Sequence, residues 1–332
     1  MDIRQLGTAG PRVPSIGLGG SAMSGTFGPA DDAEGIATIR AAIDAGITLL
    51  DTADFYGTGH NEWLFRQALR PGDRERTVLS VKFGGLRDPG GNWVGVDGRP
   101  AYVKSALAYS LQRLGTDHVD VYRPARLDPQ VPVEDTIGAI AEMVEAGYVR
   151  AIGLSEVGSE TIRRAHAVHP ICDLQIEYSL FSRGIEDGIL DTCRELGIGV
   201  TAYGVLSHGL LTGSYRPDPG GADPRAHLPR FHGANVGTNL ALVEKLRGLA
   251  EARGVTVAQL AIAWVLAQGR QRGDVVALIG ARKPHRVTDA VVAAGLKLSE
   301  EDLAAVERAV PAAAVAGERY AAPQLAQLDS ER

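Results

Sequence analysis

The sequence has few cysteines, no long apolar run and no concentration of basic residues, and each absence excludes a class of protein. Only Cys172 and Cys193 occur, which is too few for a disulfide framework and suits a reducing cytosol. No apolar stretch reaches the ~18 residues that a membrane span needs, and the polar start of the chain shows no signal peptide. The net charge is −6 and no run rich in Lys or Arg occurs, so we expect no nucleic-acid or membrane partner. Together these features predict a globular cytoplasmic protein.

A complete Gly-x-Gly-x-x-Gly fingerprint for dinucleotides is also missing. The nearest match, at residues 17–22, has the relaxed form that ends in Ala, and Gly25, Gly28 and Pro29 follow it. The fingerprint binds a pyrophosphate when it opens a helix, and these residues do not favour a helix there. A Rossmann-type site is therefore not indicated.

Apolar runs alternate with helical patterns along the whole chain. After a hairpin within residues 3–14, eight runs have the character of buried strands, at 15–18, 47–50, 77–81, 118–122, 149–154, 174–177, 200–203 and 275–279. Between them, residues 83–100 are predicted to form a long loop and residues 184–196 a helix, while residues 311–332 are predicted to form a tail across the barrel mouth. Alternation of this density indicates parallel strands with helical crossovers. We expect one α/β domain over residues 1–332, a (β/α)8 TIM barrel with long loops at its carboxyl-terminal face.

Side chains that can move protons follow two neighbouring strand-like runs. Asp51 ends the run 47–50, Tyr56 comes shortly after it, and Lys82 ends the run 77–81. If both runs are parallel strands of one sheet, the three side chains meet at its carboxyl edge, where α/β folds place their chemistry. Lys82 is then expected to lower the pKa of Tyr56, with Asp51 keeping the lysine charged. In the alternative interpretation, Asp51 only caps a turn or a helix.

The spacing of these residues resembles the aldo-keto reductases, and the resemblance continues along nearly the whole chain. The segments that carry it are Asp-Thr-Ala-Asp-Phe-Tyr-Gly at 51–57, Asn-Glu at 61–62, Val-Lys-Phe-Gly at 81–84, Gly-Tyr-Val-Arg at 147–150, Ile-Gly-Leu-Ser at 152–155, Gln-Ile-Glu-Tyr-Ser-Leu at 175–180, Ala-Tyr at 202–203 and Leu-Thr-Gly at 211–213. The resemblance implies the barrel fold and catalytic roles for Asp51, Tyr56 and Lys82.

The resemblance also implies a nicotinamide site. Ser155 and Gln175 match the ligands of the nicotinamide carboxamide, Glu156 stands where many members carry Asn, and Tyr203 matches the ring that stacks on the nicotinamide. The loop 208–237 corresponds to one that folds over the pyrophosphate. Further cofactor contacts are expected at Gly20, Gly204, Leu206 and Gly209.

A basic turn follows the last predicted strand. Gly280 is succeeded by Arg282, Lys283 and Arg286 at the start of a helix, and backbone N–H groups with nearby cations suit a phosphate. The resemblance places the adenosine 2′-phosphate here, which favours NADP(H) over NAD(H). In the alternative interpretation these residues form a solvated basic turn.

One catalytic position departs from the family. Members usually carry a histidine at the end of the fourth barrel strand, and aligning residues 126–129 places Ala125 there. Either Tyr56 is then the only side-chain donor, or another group or a water fills the gap. Arg123 has the same strand parity as Ala125. Its cation either faces the site and stabilises a developing alkoxide, or it pairs with a buried carboxylate and supports the barrel.

The leading hypothesis is an oxidoreductase that transfers a hydride between NADP(H) and an aldehyde, ketone or alcohol, with Tyr56 as general acid or base. The substrate pocket is expected to be lined by Met23, Phe55, Trp93, Arg123 and Ala125, and no metal site is indicated. A second hypothesis is a nicotinamide-binding regulatory or sensor protein with weak turnover, and a third is a metal-free barrel isomerase. The substrate, the physiological direction and the oligomeric state are not specified by the sequence.

Overall fold

A computed structural model describes residues 1–217 and 224–331 of the chain. The strands are β1 Ile3–Gln5, β2 Arg12–Pro14, β3 Ile16–Gly19, β4 Leu49–Ala53, β5 Val78–Phe83, β6 Gly85–Arg87, β7 Trp93–Val96, β8 Val119–Pro124, β9 Val149–Ser155, β10 Ile171–Glu177, β11 Gly199–Tyr203 and β12 Val275–Gly280. The helices are α1 Asp32–Asp44, α2 His60–Ala68, α3 Pro100–Leu114, α4 Val133–Glu145, α5 Ser159–Val168, α6 Ile189–Glu195, α7 Gly233–Glu251, α8 Val257–Gln268, α9 Pro284–Gly295, α10 Glu300–Ala309 and α11 Ala322–Leu325.

Eight parallel strands close into a barrel in the order β3-β4-β5-β8-β9-β10-β11-β12, and β12 pairs back with β3. Helices connect them, and the β1–β2 hairpin precedes the first barrel strand. This arrangement confirms the predicted (β/α)8 TIM barrel. The carboxyl ends of the strands, which we call the barrel mouth, bring together residues that lie far apart in the sequence.

The strand register places polar groups inside the barrel. Asp51 of β4 lies opposite Ser80 of β5, and Lys82 lies opposite Arg123 of β8. Successive residues of a strand point to opposite faces, so the neighbouring Leu50 belongs to the apolar layer between the strands and the helices. Strands covered on both faces are buried along their length, which explains why their sequences are largely apolar.

The helix boundaries follow local signals. The Asp31 side chain accepts a hydrogen bond from the Glu34 N–H at the start of α1, at 2.7 Å. A capping box of Thr256 and Gln259 opens α8, a helix that is buried on all sides. Gly115, with a φ of 67°, ends α3 in the left-handed conformation that glycine adopts without strain.

Two predicted elements are corrected. The segment 83–100 is not a structureless loop, because it contains the antiparallel hairpin of β6 and β7 beside the barrel mouth. The single helix predicted over 184–196 is divided into a 3-10 turn, Gly184–Glu186, and α6. Gly188 lies between them with a φ of 93°, which a continuous helix cannot contain. In the segment 208–237, residues 218–223 lie outside the described part of the chain.

The segment 311–331 packs over the carboxyl ends of β9, β10 and β11. The Asp329 carboxylate accepts a hydrogen bond from the Gly158 N–H at 2.9 Å, and the Ser330 hydroxyl donates to the Glu156 carboxylate at 2.8 Å. Neither the tail nor any other described segment contains a helix long and apolar enough to cross a membrane.

Candidate active site

The barrel brings Asp51, Tyr56 and Lys82 together. The Lys82 ammonium donates a hydrogen bond to Asp51 and lies 5.0 Å from the centroid of the Tyr56 ring. Asp51 also accepts hydrogen bonds from the Ser80 hydroxyl at 2.9 Å and from the Gln175 amide at 2.8 Å. Gln175 reaches Asp51 across the interior from β10, so both walls of the barrel hold the carboxylate in place. These contacts do not fit the alternative interpretation, in which Asp51 only caps a turn or a helix.

The prediction that the pKa of Tyr56 is lowered is wrong. Burial and then the negative charge of Asp51 raise the pKa of Tyr56 above its ordinary value. The opposing contributions come from the charges of Arg126 and Arg123 and from a hydrogen bond with Ser21, and they are smaller. Burial lowers the pKa of Lys82, although Asp51 favours its charged form. The Tyr56 phenol therefore holds its proton firmly at neutral pH.

The residues expected near the nicotinamide carboxamide lie side by side. Ser155, at the end of β9, pairs in register with Gln175, and both are buried. The amide nitrogen of Gln175 donates a hydrogen bond to Asp51, so the side-chain carbonyl oxygen of Gln175 remains available to a ligand. Glu156 follows Ser155 with a φ of 54°, a left-handed conformation that is uncommon for a side chain of this kind.

Glu156 is the centre of a buried network that the sequence did not reveal. Its carboxylate is fully buried and accepts two hydrogen bonds from Arg319, at 2.9 and 2.5 Å, and one from the Tyr203 hydroxyl at 2.7 Å. Burial opposes the charged form, but the hydrogen bonds and charge of Arg319 prevail, and the pKa of Glu156 falls to about 2. The Tyr203 hydroxyl is also 3.1 Å from that of Tyr320. The tail therefore fixes the edge of the ring that is expected to face the cofactor.

A second buried carboxylate, Glu177 at the end of β10, has its own basic partners. Arg230 lies 3.5 Å away, Arg319 lies 3.4 Å away, and the Ser182 hydroxyl donates at 2.6 Å. Gly204 follows Tyr203 with a φ of 65°, and a Cβ there would come within 2.8 Å of the Glu177 side chain. Glycine is therefore needed at that position. The only available signal for this network was the acidic residue at position 156.

The position that the resemblance aligns with the usual histidine is occupied by a buried methyl group. Ala125 is 2% exposed and follows β8 directly. Arg123 does not take over its role, because its guanidinium lies 3.1 Å from the Asp173 carboxylate and donates to Ser80 at 3.0 Å inside the barrel. Of the two interpretations of Arg123, the structure therefore shows the buried ion pair, and Arg123 is not a pocket wall.

The expected pocket walls divide into two groups. Phe55 packs edge to face on Tyr56, with ring centroids 5.0 Å apart, and on Trp93 at 5.7 Å. These rings form one aromatic side of the mouth beside the β6–β7 hairpin. Met23, by contrast, is 1% exposed and belongs to the apolar core, so it does not line the mouth.

The loop after Tyr203 carries polar atoms that are available to a ligand. Leu206 and Gly209 lie in a kinked 3-10 segment, with Gly209 at a φ of 103°. Within it, the Ser207 hydroxyl and the Nε2 atom of His208 are buried and have no hydrogen-bond partner among the described residues. Buried polar groups are normally paired, so this loop fits a polar cofactor.

At the opposite side of the mouth, Gly20 directly follows β3 and lies against Asn61. The Asn61 amide donates to the Gly20 carbonyl at 2.9 Å, and a Cβ on Gly20 would come within 2.2 Å of Asn61. Only glycine therefore allows this close approach. This close packing explains the glycine at position 20, and its expected contact with the cofactor stays a prediction.

The basic turn lies between β12 and the start of α9. Arg282 donates to the carbonyls of Phe27 and Pro29 at 3.4 and 3.2 Å, and it so joins this turn to the loop after β3. Lys283 and Arg286 make long, exposed ion pairs of 3.8 and 3.7 Å with carboxylates of α1 and α9. Such pairs are weak, so these cations remain free to bind a phosphate near the exposed Gly280.

No group of three or more His, Cys, Asp or Glu side chains that could hold a metal ion occurs within residues 1–217 and 224–331. Cys172 and Cys193 are free and buried.

Comparison with known proteins identifies the relatives of this chain. Residues 15–311 match the model of the aldo/keto reductase family. A probable aldo-keto reductase 1 from Glycine max is 41% identical over 319 residues, which cover 95% of this chain and 91% of the relative. Among solved structures, the glycerol dehydrogenase of Gluconobacter oxydans superposes with a TM-score of 0.84 at 32% identity, covering 93% of this chain and 94% of the other. An aldo-keto reductase of Bacillus halodurans in its holo form gives a TM-score of 0.78 at 28% identity, with 94% and 97% covered.

Proposed function

Because the chain belongs to the aldo/keto reductase family, we propose that it is a single-domain, NADP(H)-dependent oxidoreductase of carbonyl compounds and alcohols. The family and the relatives support an oxidoreductase acting on such substrates. The choice of cofactor and the role of Tyr56 are our inferences from the site. The free, buried Cys172 and Cys193 fit a reducing compartment, and we infer that the enzyme works in the cytoplasm.

The observation that carries the proposal is the position of Tyr56 above the Asp51–Lys82 pair. When bound, the nicotinamide supplies or accepts the hydride. In the reductive direction Tyr56 donates its proton to the carbonyl oxygen. Its raised pKa keeps the phenol protonated at neutral pH, which suits an acid better than a base. We therefore expect reduction to be the faster direction at neutral pH.

The remaining residues of the mouth would hold the cofactor. Ser155 and the free carbonyl oxygen of Gln175 suit the carboxamide, and the Tyr203 ring offers a flat apolar face. The unpartnered polar atoms of Ser207 and His208 suit the pyrophosphate. The weakly paired cations after β12 suit a 2′-phosphate, which is the basis for preferring NADP(H).

Ala125 favours a second candidate function, a nicotinamide-binding sensor with weak turnover. A buried methyl group cannot polarise a carbonyl, so one usual electrophilic contact is missing. A pure binding protein, however, has no need of the buried Asp51–Lys82 pair beside Tyr56.

The test measures NADPH consumption with a panel of aldehydes and ketones, and compares the wild type with Tyr56→Phe. We expect turnover to fall by about 10²–10⁴-fold, as is typical for a lost general acid, while the affinity for NADPH is retained. Tyr109→Phe is the matched control, because Tyr109 is 59% exposed on α3, and it should leave turnover unchanged. An active wild type whose Tyr56→Phe variant keeps full turnover would contradict the proposed role of Tyr56. NADPH binding without turnover of any carbonyl would favour the sensor.

A further inference from the structure

Four buried carboxylates around the barrel mouth are paired with basic side chains. Each of four buried carboxylates has a basic side chain within 4 Å, and the pairs are Asp51 with Lys82, Asp173 with Arg123, Glu156 with Arg319 and Glu177 with Arg230. Buried charges are costly unless they are paired, so this balance is the expected arrangement. One further cation at the mouth has no such partner.

That cation is Arg126, which follows Ala125 at the end of β8. Its side chain is half-buried, and one of its Nη atoms donates to the Ala125 carbonyl at 2.6 Å. Among the described residues no carboxylate lies within ion-pair distance of it, and Glu156 acts on it only at longer range. Arg126 therefore has no anionic partner of its own before a substrate binds.

Arg126 also lies beside the aromatic side of the barrel mouth. It lines a groove of about 1530 Å³ together with Leu86 and Trp93 of the β6–β7 hairpin. The carboxylate side chains that line the same groove are Asp128, Glu160, Asp187, Asp329 and Glu331. Trp93 packs on Phe55, which packs on Tyr56, so the groove adjoins the expected proton donor. The positive charge of Arg126 is among the influences that favour the Tyr56 phenolate, after the larger opposing effects of burial and Asp51.

On the basis of the proposed function, we propose that Arg126 determines substrate specificity by binding a carboxylate that the substrate carries at some distance from its carbonyl group. The substrate class is then an aldehyde acid or an oxo acid. A guanidinium matches a carboxylate in a planar, two-point contact. Of the two arginines that line this groove, Arg164 is paired with Glu134, so Arg126 alone supplies a cation without a carboxylate partner, and one such charge matches a monoanion. The aromatic rings of Phe55 and Trp93 suit an aromatic or otherwise apolar linker between the two groups.

The test compares 4-carboxybenzaldehyde with methyl 4-formylbenzoate, which have the same ring and the same reacting carbonyl and differ in charge. We expect the wild type to have the lower KM for the acid. Arg126→Met should raise the KM for the acid by about 10- to 100-fold, the loss typical of hydrogen bonds to a charged group, with little change in kcat or in the kinetics of the ester. Arg126→Lys should retain part of the preference. Arg163→Met removes an exposed cation outside the groove and should change the kinetics of neither substrate.

The outcomes distinguish carboxylate binding by Arg126 from other roles of this residue. They also distinguish failure of this inference from failure of the proposed function. An equal loss of kcat for acid and ester would mean that Arg126 acts on the reacting oxygen, and it would overturn the inference. Equal KM values for acid and ester in the wild type would also overturn it. If neither compound is turned over, calorimetric binding of the two compounds to the NADPH complex decides, and the proposed function fails only if the wider carbonyl panel is not turned over either. If the wild type binds the acid and the Arg126→Met variant does not, the carboxylate site is supported. If the wild type does not bind the acid, the carboxylate site is refuted.

Discussion

Arg319→Met removes the cation that holds the C-terminal tail on the barrel mouth, and its consequences follow from the contacts. The Arg319 side chain is 8% exposed and bonds to Glu156 twice, to Glu177 at 3.4 Å and to Glu331 at 2.7 Å. Met fills a similar apolar volume but carries no charge. In the variant Glu156 keeps the hydrogen bonds from Tyr203 and Ser330, but it loses the charge that compensates its burial.

The magnitude follows from the pKa of Glu156, which lies at about 2 in the fold against an ordinary 4.5. A shift of this size corresponds to about 3 kcal/mol of stability at pH 7, at 1.36 kcal/mol per pKa unit. Breaking a buried ion pair typically costs ~3–5 kcal/mol, which agrees. Because the folded pKa is depressed, this stabilisation is present above about pH 4.5 and is lost as the pH falls towards 2. The difference between wild type and variant should therefore shrink on acidification.

Urea unfolding at pH 7 and at pH 4 measures the difference, and hydrogen exchange of residues 311–331 shows whether the tail detaches locally. The matched control is Arg163→Met, which breaks an ion pair whose side chains are 46% and 61% exposed and should cost less than about 1 kcal/mol. The reasoning is refuted if Arg319→Met costs no more than the control and leaves the exchange of the tail unchanged. It is also refuted if the cost grows as the pH falls.

Three further predictions concern the reaction and the cofactor. Lys82→Met should lower turnover and move the pH optimum for alcohol oxidation upward, because Asp51 then raises the pKa of the tyrosine without the Lys82 ammonium beside it; an unshifted optimum would contradict this. Replacing Arg282 and Arg286 by Ala should weaken NADPH binding by about 10-fold or more and NADH binding much less, in fluorescence titrations, whereas an equal loss for both would argue against NADP(H). Ala125→His should raise carbonyl turnover if the methyl group only marks a missing donor, and should lower it if the imidazole blocks the natural substrate.

Much of the fold and part of the site could be predicted from the sequence. Hydrophobic runs with strand and helix periods are local properties, and eight alternating units close most simply into a barrel. Asp51 and Lys82 were predicted to meet because each follows directly on an apolar run of the sequence, and parallel strands bring such positions together. The departure at Ala125 was predicted differently, by aligning residues 126–129 with the family pattern, and it stays a prediction. The hairpin of β6 and β7 was missed because its glycines and prolines have the composition of a loop.

The tertiary structure alone decided which charges meet. The alternation of side chains along β8 was compatible with two positions of the Arg123 side chain, one facing the site and one beside a buried carboxylate. Only the closed barrel shows that it lies beside Asp173. Arg319 and Glu156 lie 163 residues apart, and no local pattern connects them. The Tyr56 pKa is raised, not lowered, because it depends on the total burial of the phenol and on every charge around it. Desolvation and Coulomb energies depend on distances through space, which the order of residues along the chain does not specify.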